Sequence, residues 1–235
     1  MGGPGPGGAH EGIHSQPLQD LATIEGLERG HVHRAPIWSS EGETIEGDGM
    51  TCIVGLTDGK TVWMGGDSCG TNGYTKDVTK HPKVIVRETH GNRLIVGYTG
   101  SFRMGQVLEH KLDIPRNEND DDAYKFMVCT VIDALRTLFK AEGCITTTDG
   151  QDSTDGPFLV GYRGRLFEVQ SDYSVIENTR GYVATGSGKQ VAEGAMFAAP
   201  NLKPEPRIMR ALEAAAEFVP TVAGPLYVMT LCPTI

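Results

Sequence analysis

The chain has 235 residues, 39% of them hydrophobic, and a formal net charge of −9, which suits one globular domain with a sizeable core rather than a disordered chain. No basic stripe offers a nucleic-acid footprint, no apolar run is long enough to span a bilayer, and the N-terminus lacks the basic and apolar regions of a secretory signal. Five scattered cysteines (Cys52, Cys69, Cys129, Cys144 and Cys232) without CxxC spacing read as free thiols of a reducing, cytoplasmic compartment, with no structural zinc.

Residues 1–50 differ from the remainder. They hold eight acids against two bases, begin Gly/Pro-rich ("MGGPGPGG") and bury little apolar surface, so they read as a flexible leader. Their four histidines, His10, His14, His31 and His33, read as solvated loop residues rather than metal ligands. From Thr51 the pattern changes. "TCIVGL" and "TVWMGGDS" predict two strands joined by an Asp58-Gly59 turn, and "KVIV" and "RLIVGYTG" predict a second pair. "SFRMGQVLEHKLDI" has helical spacing at Phe102, Val107, Leu108 and Leu112. In "DAYKFMVCTVIDALRTLFK" the residues Met127, Val128, Val131, Ile132, Leu135, Leu138 and Phe139 share one helical face, with Asp120, Asp121 and Asp122 at its positive dipole end. "DGQDSTDG" reads as a loop before a strand, without the ligand spacing of a calcium loop. Strands follow at "PFLVGY", "RLFEVQ", "SVIEN" and "YVATG", then two helices near "KQVAEGAMFAA" and "EPRIMRALEAAAEF", then a last strand, "GPLYVMTL". "GSGK" (186–189) lacks the outer residues of a phosphate-binding loop. This order predicts an α+β protein, a four-layer αββα sandwich of two antiparallel sheets flanked by helices.

Three polar residues stand out by spacing. Asp67 lies sixteen residues after Thr51 and Lys83 sixteen after Asp67. Singly, each has an ordinary explanation: a strand threonine, a turn aspartate, a solvated lysine, and for Ser187 a helix cap. Together, the strand-opening Thr51, the turn "GDSCGTNG" (66–73), Lys83 before a strand, "VGYTGSFRMGQVLEHKL" and "ATGSGKQVAEGA" resemble the proteasome β-subunit family of N-terminal nucleophile hydrolases, over Thr51 to about Leu231. The simpler bacterial members are the nearest in pattern.

That resemblance implies a threonine-type endopeptidase. A threonine hydroxyl needs a nearby base, and a chain-terminal threonine carries one in its α-amine, with a reference pKa of about 7.7–8.0. Thr51 would be the nucleophile and its amine the base. Lys83 would lower the amine's pKa by like charge, Asp67 would hold Lys83, Gly97 N–H would meet the oxyanion, and Ser187 would assist proton transfer. Thr71 would pair with an extended substrate, and His81, Ile85, Ile95 and Thr99 would line the pocket before the cut. The resemblance further implies self-association into rings, an ATP-dependent unfoldase ring as partner, peptide or protein substrates, and no metal or organic cofactor. Family members often place an Asp and a Ser near the last helix–strand loop; "FVPTVAGP" has neither. Cys52 stands where a second threonine is frequent.

The mechanism needs a free Thr51 nitrogen. The leader reads as a self-cleaved propeptide, although Met50 rather than Gly precedes Thr51; as translated upstream sequence before a start at Met50; or as a permanent extension on an inactive ring subunit. An amidohydrolase acting on a small amide is the other functional reading. The expected division is 1–50 leader and 51–235 hydrolase domain.

Overall fold

Hydrophobic alternation is weak in the first strand because both of its faces are covered. In β1 (Ile53–Thr57) Ile53 points between two sheets while Val54 and Leu56 point to a helix layer, as expected of a strand inside a multilayer fold. The computed structural model describes residues 1–3, 50–72, 75–117 and 122–233. Residues 4–49 of the leader, which include its four histidines, and Asp120 and Asp121 therefore lie outside the described residues. The unit that carries the site is Ile45–Ile235, taken here by itself.

After β1 come β2 (Val62–Gly66), β3 (Cys69–Asn72), β4 (Thr75–Val78), β5 (Val84–Thr89) and β6 (Asn92–Tyr98), then helices α1 (Phe102–Lys111), α2 (Ala123–Phe126) and α3 (Ile132–Ala141). Strands β7 (Ile145–Thr148), β8 (Gln151–Thr154), β9 (Phe158–Tyr162), β10 (Arg165–Val169), β11 (Val175–Glu177) and β12 (Tyr182–Thr185) follow, then α4 (Lys189–Ala198), α5 (Pro204–Phe218) and β13 (Tyr227–Leu231). One sheet runs β12-β1-β2-β13 and the other β11-β10-β9-β6-β5, with antiparallel neighbours throughout.

Three apolar layers give the four-layer sandwich. Ile53, Val62, Met64, Val84, Ile95, Leu159 and Leu166 fill the space between the sheets. Met104, Leu108, Met127, Leu135 and Phe139 pack on the outer face of the five-stranded sheet. Ala192, Met196, Ile208, Leu212 and Ala215 pack on the other sheet. Among the described residues no helix is long and apolar enough to cross a membrane.

Two local expectations change. The helix expected through "DAYKFMVCTVIDALRTLFK" carries a π-helical segment, Met127–Val131, between α2 and α3. The wider turn rotates Val128 off the apolar face, so it is 39% exposed while Met127 and Val131 are buried. "DGQDSTDG" is not simply a loop: Gln151–Thr154 pairs with Ile145–Thr148 around Asp149-Gly150, both with positive φ, the turn chemistry of a tight hairpin. Asp122 is the N-cap of α2, accepting from Tyr124 N–H at 2.9 Å and pairing with Arg165.

Candidate active site

Chain order puts Thr51 just before β1, Asp67 just after β2 and Lys83 just before β5. β1 and β2 form a hairpin, so the entry to one and the exit of the other lie side by side, and Ile53 pairs with Gly66. β5 belongs to the other sheet, so Lys83 reaches across the gap between sheets. The structure thus gathers Thr51, Asp67 and Lys83 at one end of the sandwich. All three are buried, at 2%, 0% and 2% exposure.

The Lys83 ammonium is satisfied by three acceptors: Thr51 Oγ1 at 2.7 Å, Asp67 Oδ1 at 3.2 Å and the Cys69 carbonyl. Three acceptors match the three donors of a protonated lysine. Burial pushes the Lys83 pKa down, and the Asp67 carboxylate pulls against that shift. Because Thr51 Oγ1 accepts from Lys83, its own hydroxyl hydrogen points elsewhere and is free to go to another base.

Asp67 is held more firmly than its partner. Oδ1 also accepts from Cys52 N–H at 3.1 Å, and Oδ2 accepts from Cys69 N–H at 3.0 Å and Ala223 N–H at 3.4 Å. Three backbone donors fix the carboxylate, and it in turn fixes Lys83. Tyr227, on β13, adds a clamp: its hydroxyl accepts from Lys83 N–H and donates to the Asp67 carbonyl at 3.4 Å. Burial raises the Tyr227 pKa, so it remains a phenol.

On the other side of Thr51, its nitrogen donates to Ser187 Oγ at 3.3 Å, and Ser187 Oγ donates to Thr51 C=O at 3.3 Å. Ser187 does not cap α4; the N-cap is Gly188, with no side-chain capping bond. Ser187 Oγ also lies 2.8 Å from Thr221 Oγ1. Thr221 sits in "FVPTVAGP", so the stretch that lacks both Asp and Ser still supplies a hydroxyl to this side of the site.

Gly97 lies on β6 between Val84 and Leu159. A Cβ there would stand 2.5 Å from Ile53 Cγ2 and 2.7 Å from Met64 Sδ, so close sheet packing already demands glycine at this position. Thr71 pairs with Lys76 in the β3–β4 hairpin.

The residues expected to line one pocket do not come together. Ile85 packs in the layer under α1–α3, whereas Ile95 lies between the sheets. The reason is strand parity: Ile85 pairs with Val96 and Val86 with Ile95, so the two isoleucines point to opposite faces. Thr99 is fully buried and donates to the Pro157 carbonyl at 2.6 Å. His81 instead lines a cleft of about 500 Å³ with Thr79, Tyr98, Phe102, Arg103 and Gln106 among its walls. Sequence reasoning missed Phe102, Thr221 and Tyr227. Phe102 carried only the signal of helical spacing, and no local pattern marked the other two.

Among solved structures the chain is similar to Thiobacillus denitrificans BPH, with TM-score 0.63 and 24% identity over 78% of this chain and 99% of that one. It is also similar to HslV from Trypanosoma brucei, with TM-score 0.54 and 21% identity over 77% and 99%. A third similarity is to Anbu, an ancestral β-subunit, from Yersinia bercovieri, with TM-score 0.53 and 15% identity over 77% and 82%. This is the N-terminal nucleophile hydrolase fold. The structural neighbours are proteasome β-like subunits at low sequence identity. No family model and no curated protein matches the chain. Thr51 lies two residues before Ile53, whose side chain fills the gap between the sheets, and it meets Lys83 at 2.7 Å.

Proposed function

We propose that this chain is a threonine-type endopeptidase subunit of a self-compartmentalising, proteasome-like protease, active once removal of residues 1–50 frees the Thr51 nitrogen. The observation that carries the reading is the 2.7 Å contact from Lys83 Nζ to Thr51 Oγ1, with Asp67 buried behind it. Thr51 Oγ attacks the scissile carbonyl and its proton passes to the α-amine, a step typically worth about 10²–10⁴ in rate. Lys83, cationic beside that amine, keeps its pKa near neutrality by like charge; the Gly97 N–H expected to meet the oxyanion is not free for it, because Gly97 is paired with strands on both sides and, with Tyr98 N–H donating to the Lys83 carbonyl, its own N–H faces β9. Collapse breaks the C–N bond, and the departing amine takes the proton from the Thr51 ammonium. Water then attacks the ester with the same amine as base, restoring the hydroxyl and releasing the acid. Ser187, within 3.3 Å of the nitrogen, orients it through both steps.

BPH is described in complex with epoxomicin and Anbu as a helical assembly. By that likeness we extend the proposal to epoxomicin binding, ring or related self-assembly, and an ATP-dependent unfoldase that delivers substrates. The test is a protein starting at Met50, with its N-terminus verified by mass, assayed on fluorogenic peptides with and without epoxomicin. Hydrolysis should appear, should be blocked by epoxomicin, and should fall to background in Thr51→Ala and Lys83→Ala. Full turnover by Thr51→Ala, or by a chain retaining residues 1–50, overturns the mechanism.

A further inference from the structure

We infer that the end of the sandwich away from Thr51 carries a binding site for a small, multiply charged phosphate anion, held by Lys60, Arg93 and Arg163. The inference stands apart from the peptidase chemistry and does not need Thr51 as a nucleophile. The site is a cleft of about 520 Å³, within the usual range of small-ligand pockets, about 300–1,000 Å³. It lies past the far end of β1, on the order of 20 Å from Thr51 at the rise of a strand. Three turns build it. Lys60 follows Gly59 between β1 and β2, Arg93 follows the His90-Gly91 turn between β5 and β6, and Arg163-Gly164 joins β9 to β10. The first and third of these turns come from different sheets and touch through bare backbone. A Cβ on Gly164 would stand 2.6 Å from the Gly59 carbonyl oxygen and 2.8 Å from Lys60 Cα, and Gly164 has φ +77°. Glycine is what permits this approach of the turns that carry Lys60 and Arg163. The Thr57 hydroxyl, donating to the Gly164 carbonyl, ties them together.

The charge of this cleft runs against that of the chain. The protein carries a net −9, yet the described residues that line the cleft include three cations and no carboxylate. Two acids of the adjoining turns and strands are engaged. Asp58 accepts from the N–H groups of Lys60 and Thr61 at 2.9 and 2.7 Å, which folds its carboxylate onto its own turn. Glu88 meets Arg93 Nε at 2.7 Å in an exposed pair, a contact of small net worth that a more highly charged anion can outcompete. The Arg163 guanidinium lies 5.3 Å from the ring of Tyr162. Tyr162 and Leu231 are buried beneath the cleft, so attraction there is screened less than on an open surface. A cationic ligand would meet like charge. A single carboxylate would offset one of the three cations. A phosphate anion with two or more charges presents several oxygens in a compact group, which matches two guanidinium forks and an ammonium at once.

The test uses the full chain and inorganic pyrophosphate without added metal. Calorimetry should detect binding at about 50 mM NaCl and a several-fold weaker affinity at about 300 mM, where screening is stronger. Lys60→Gln combined with Arg163→Gln, both at exposed positions, should weaken binding about tenfold or more. Two thiols read the field independently of any ligand. Cys232 is exposed and lines the cleft, whereas Cys129 is exposed on the π-helical segment of the helix layer. The labelling rate with anionic iodoacetate relative to neutral iodoacetamide should be about threefold or more higher at Cys232 than at Cys129, and the double variant should lose that excess. Pyrophosphate should slow labelling of Cys232 and leave Cys129 unchanged. Absence of both heat and protection at about 10 mM pyrophosphate, equal labelling ratios at the two cysteines, undiminished binding by the double variant, or equally tight binding of citrate overturns the inference. Pyrophosphate binding in a chain without peptidase activity would uphold it and leave the proposed function to fail by itself.

Discussion

Asp67→Asn should be the most destabilising conservative change at the site. The carboxylate is fully buried and accepts from four donors, two on each oxygen. An asparagine must turn its NH2 toward one of those pairs, so donor faces donor either at Cys52 and Lys83 or at Cys69 and Ala223. It also strands the Lys83 ammonium, whose side chain is 3% exposed. Breaking a buried pair from one side typically costs about 3–5 kcal/mol, and for a domain of this size each kcal/mol moves Tm by about 2–4 °C. A fall of about 6–20 °C at pH 7 is therefore expected by circular dichroism. The pH dependence gives a second reading. Burial lowers the Lys83 pKa and Asp67 opposes that shift, so the variant's Lys83 titrates lower still. Between that lowered value and the ordinary one of about 10.4, the unfolded state binds more protons and stability rises with pH. The deficit of Asp67→Asn should thus narrow on the alkaline side. Lys83→Met should be milder, because Asp67 keeps its three backbone donors, and Asp67→Asn with Lys83→Met should recover part of the single-variant loss. A Tm for Asp67→Asn within about 3 °C of wild type, or Lys83→Met as the more damaging change, would refute this account of the site.

Other outcomes follow from the same geometry. Tyr227→Phe removes the acceptor of Lys83 N–H and should cost about 1–3 kcal/mol in urea unfolding; a loss below about 0.5 kcal/mol would show that the clamp is idle. Cys52 is fully buried, and burial first and the Asp67 charge second raise its pKa, so neither it nor the buried Cys69 and Cys144 should react with iodoacetamide in the folded protein, whereas the exposed Cys129 and Cys232 should. Mass mapping that finds Cys52 modified before unfolding contradicts this. The Glu142 carboxyl is held below its ordinary range, chiefly by its hydrogen bond from Lys111. Its stabilising effect is in place above about pH 4.3 and is lost as pH falls through its lowered folded value. Glu142→Gln should lower Tm at pH 7 and converge with wild type in acid; a constant difference down to pH 2 would exclude the charge pair as the cause.

The layers of the fold were legible because each strand block and helix pair carries its own apolar periodicity. The hairpin at Asp149-Gly150 was readable in principle, since the dipeptide is a turn signal, but the polar strand Gln151–Thr154 has no buried face to advertise. The π segment was not readable, because Val128 fits the helical face until one turn widens. At the site, Asp67 and Lys83 were found by spacing that matched a known pattern, and Ser187 by its glycine turn. Ile85 and Ile95 were misplaced together because a pocket list ignores the pairing register that decides which face each side chain takes.

The sequence by itself determined the order of elements, the acidic leader set apart from a hydrophobic unit, and the Thr51, Asp67 and Lys83 trio, all of which depend on residue type and local spacing. Only the tertiary structure decided that Lys83 spends its three donors on Thr51, Asp67 and Cys69. It also decided that Thr221 and Tyr227 belong to the site, and that Phe102 faces a cleft. Those are contacts between the two sheets and across more than a hundred residues of chain, as for Lys83 with Tyr227 and Ser187 with Thr51. No local periodicity encodes which side chains meet when two sheets close on one another.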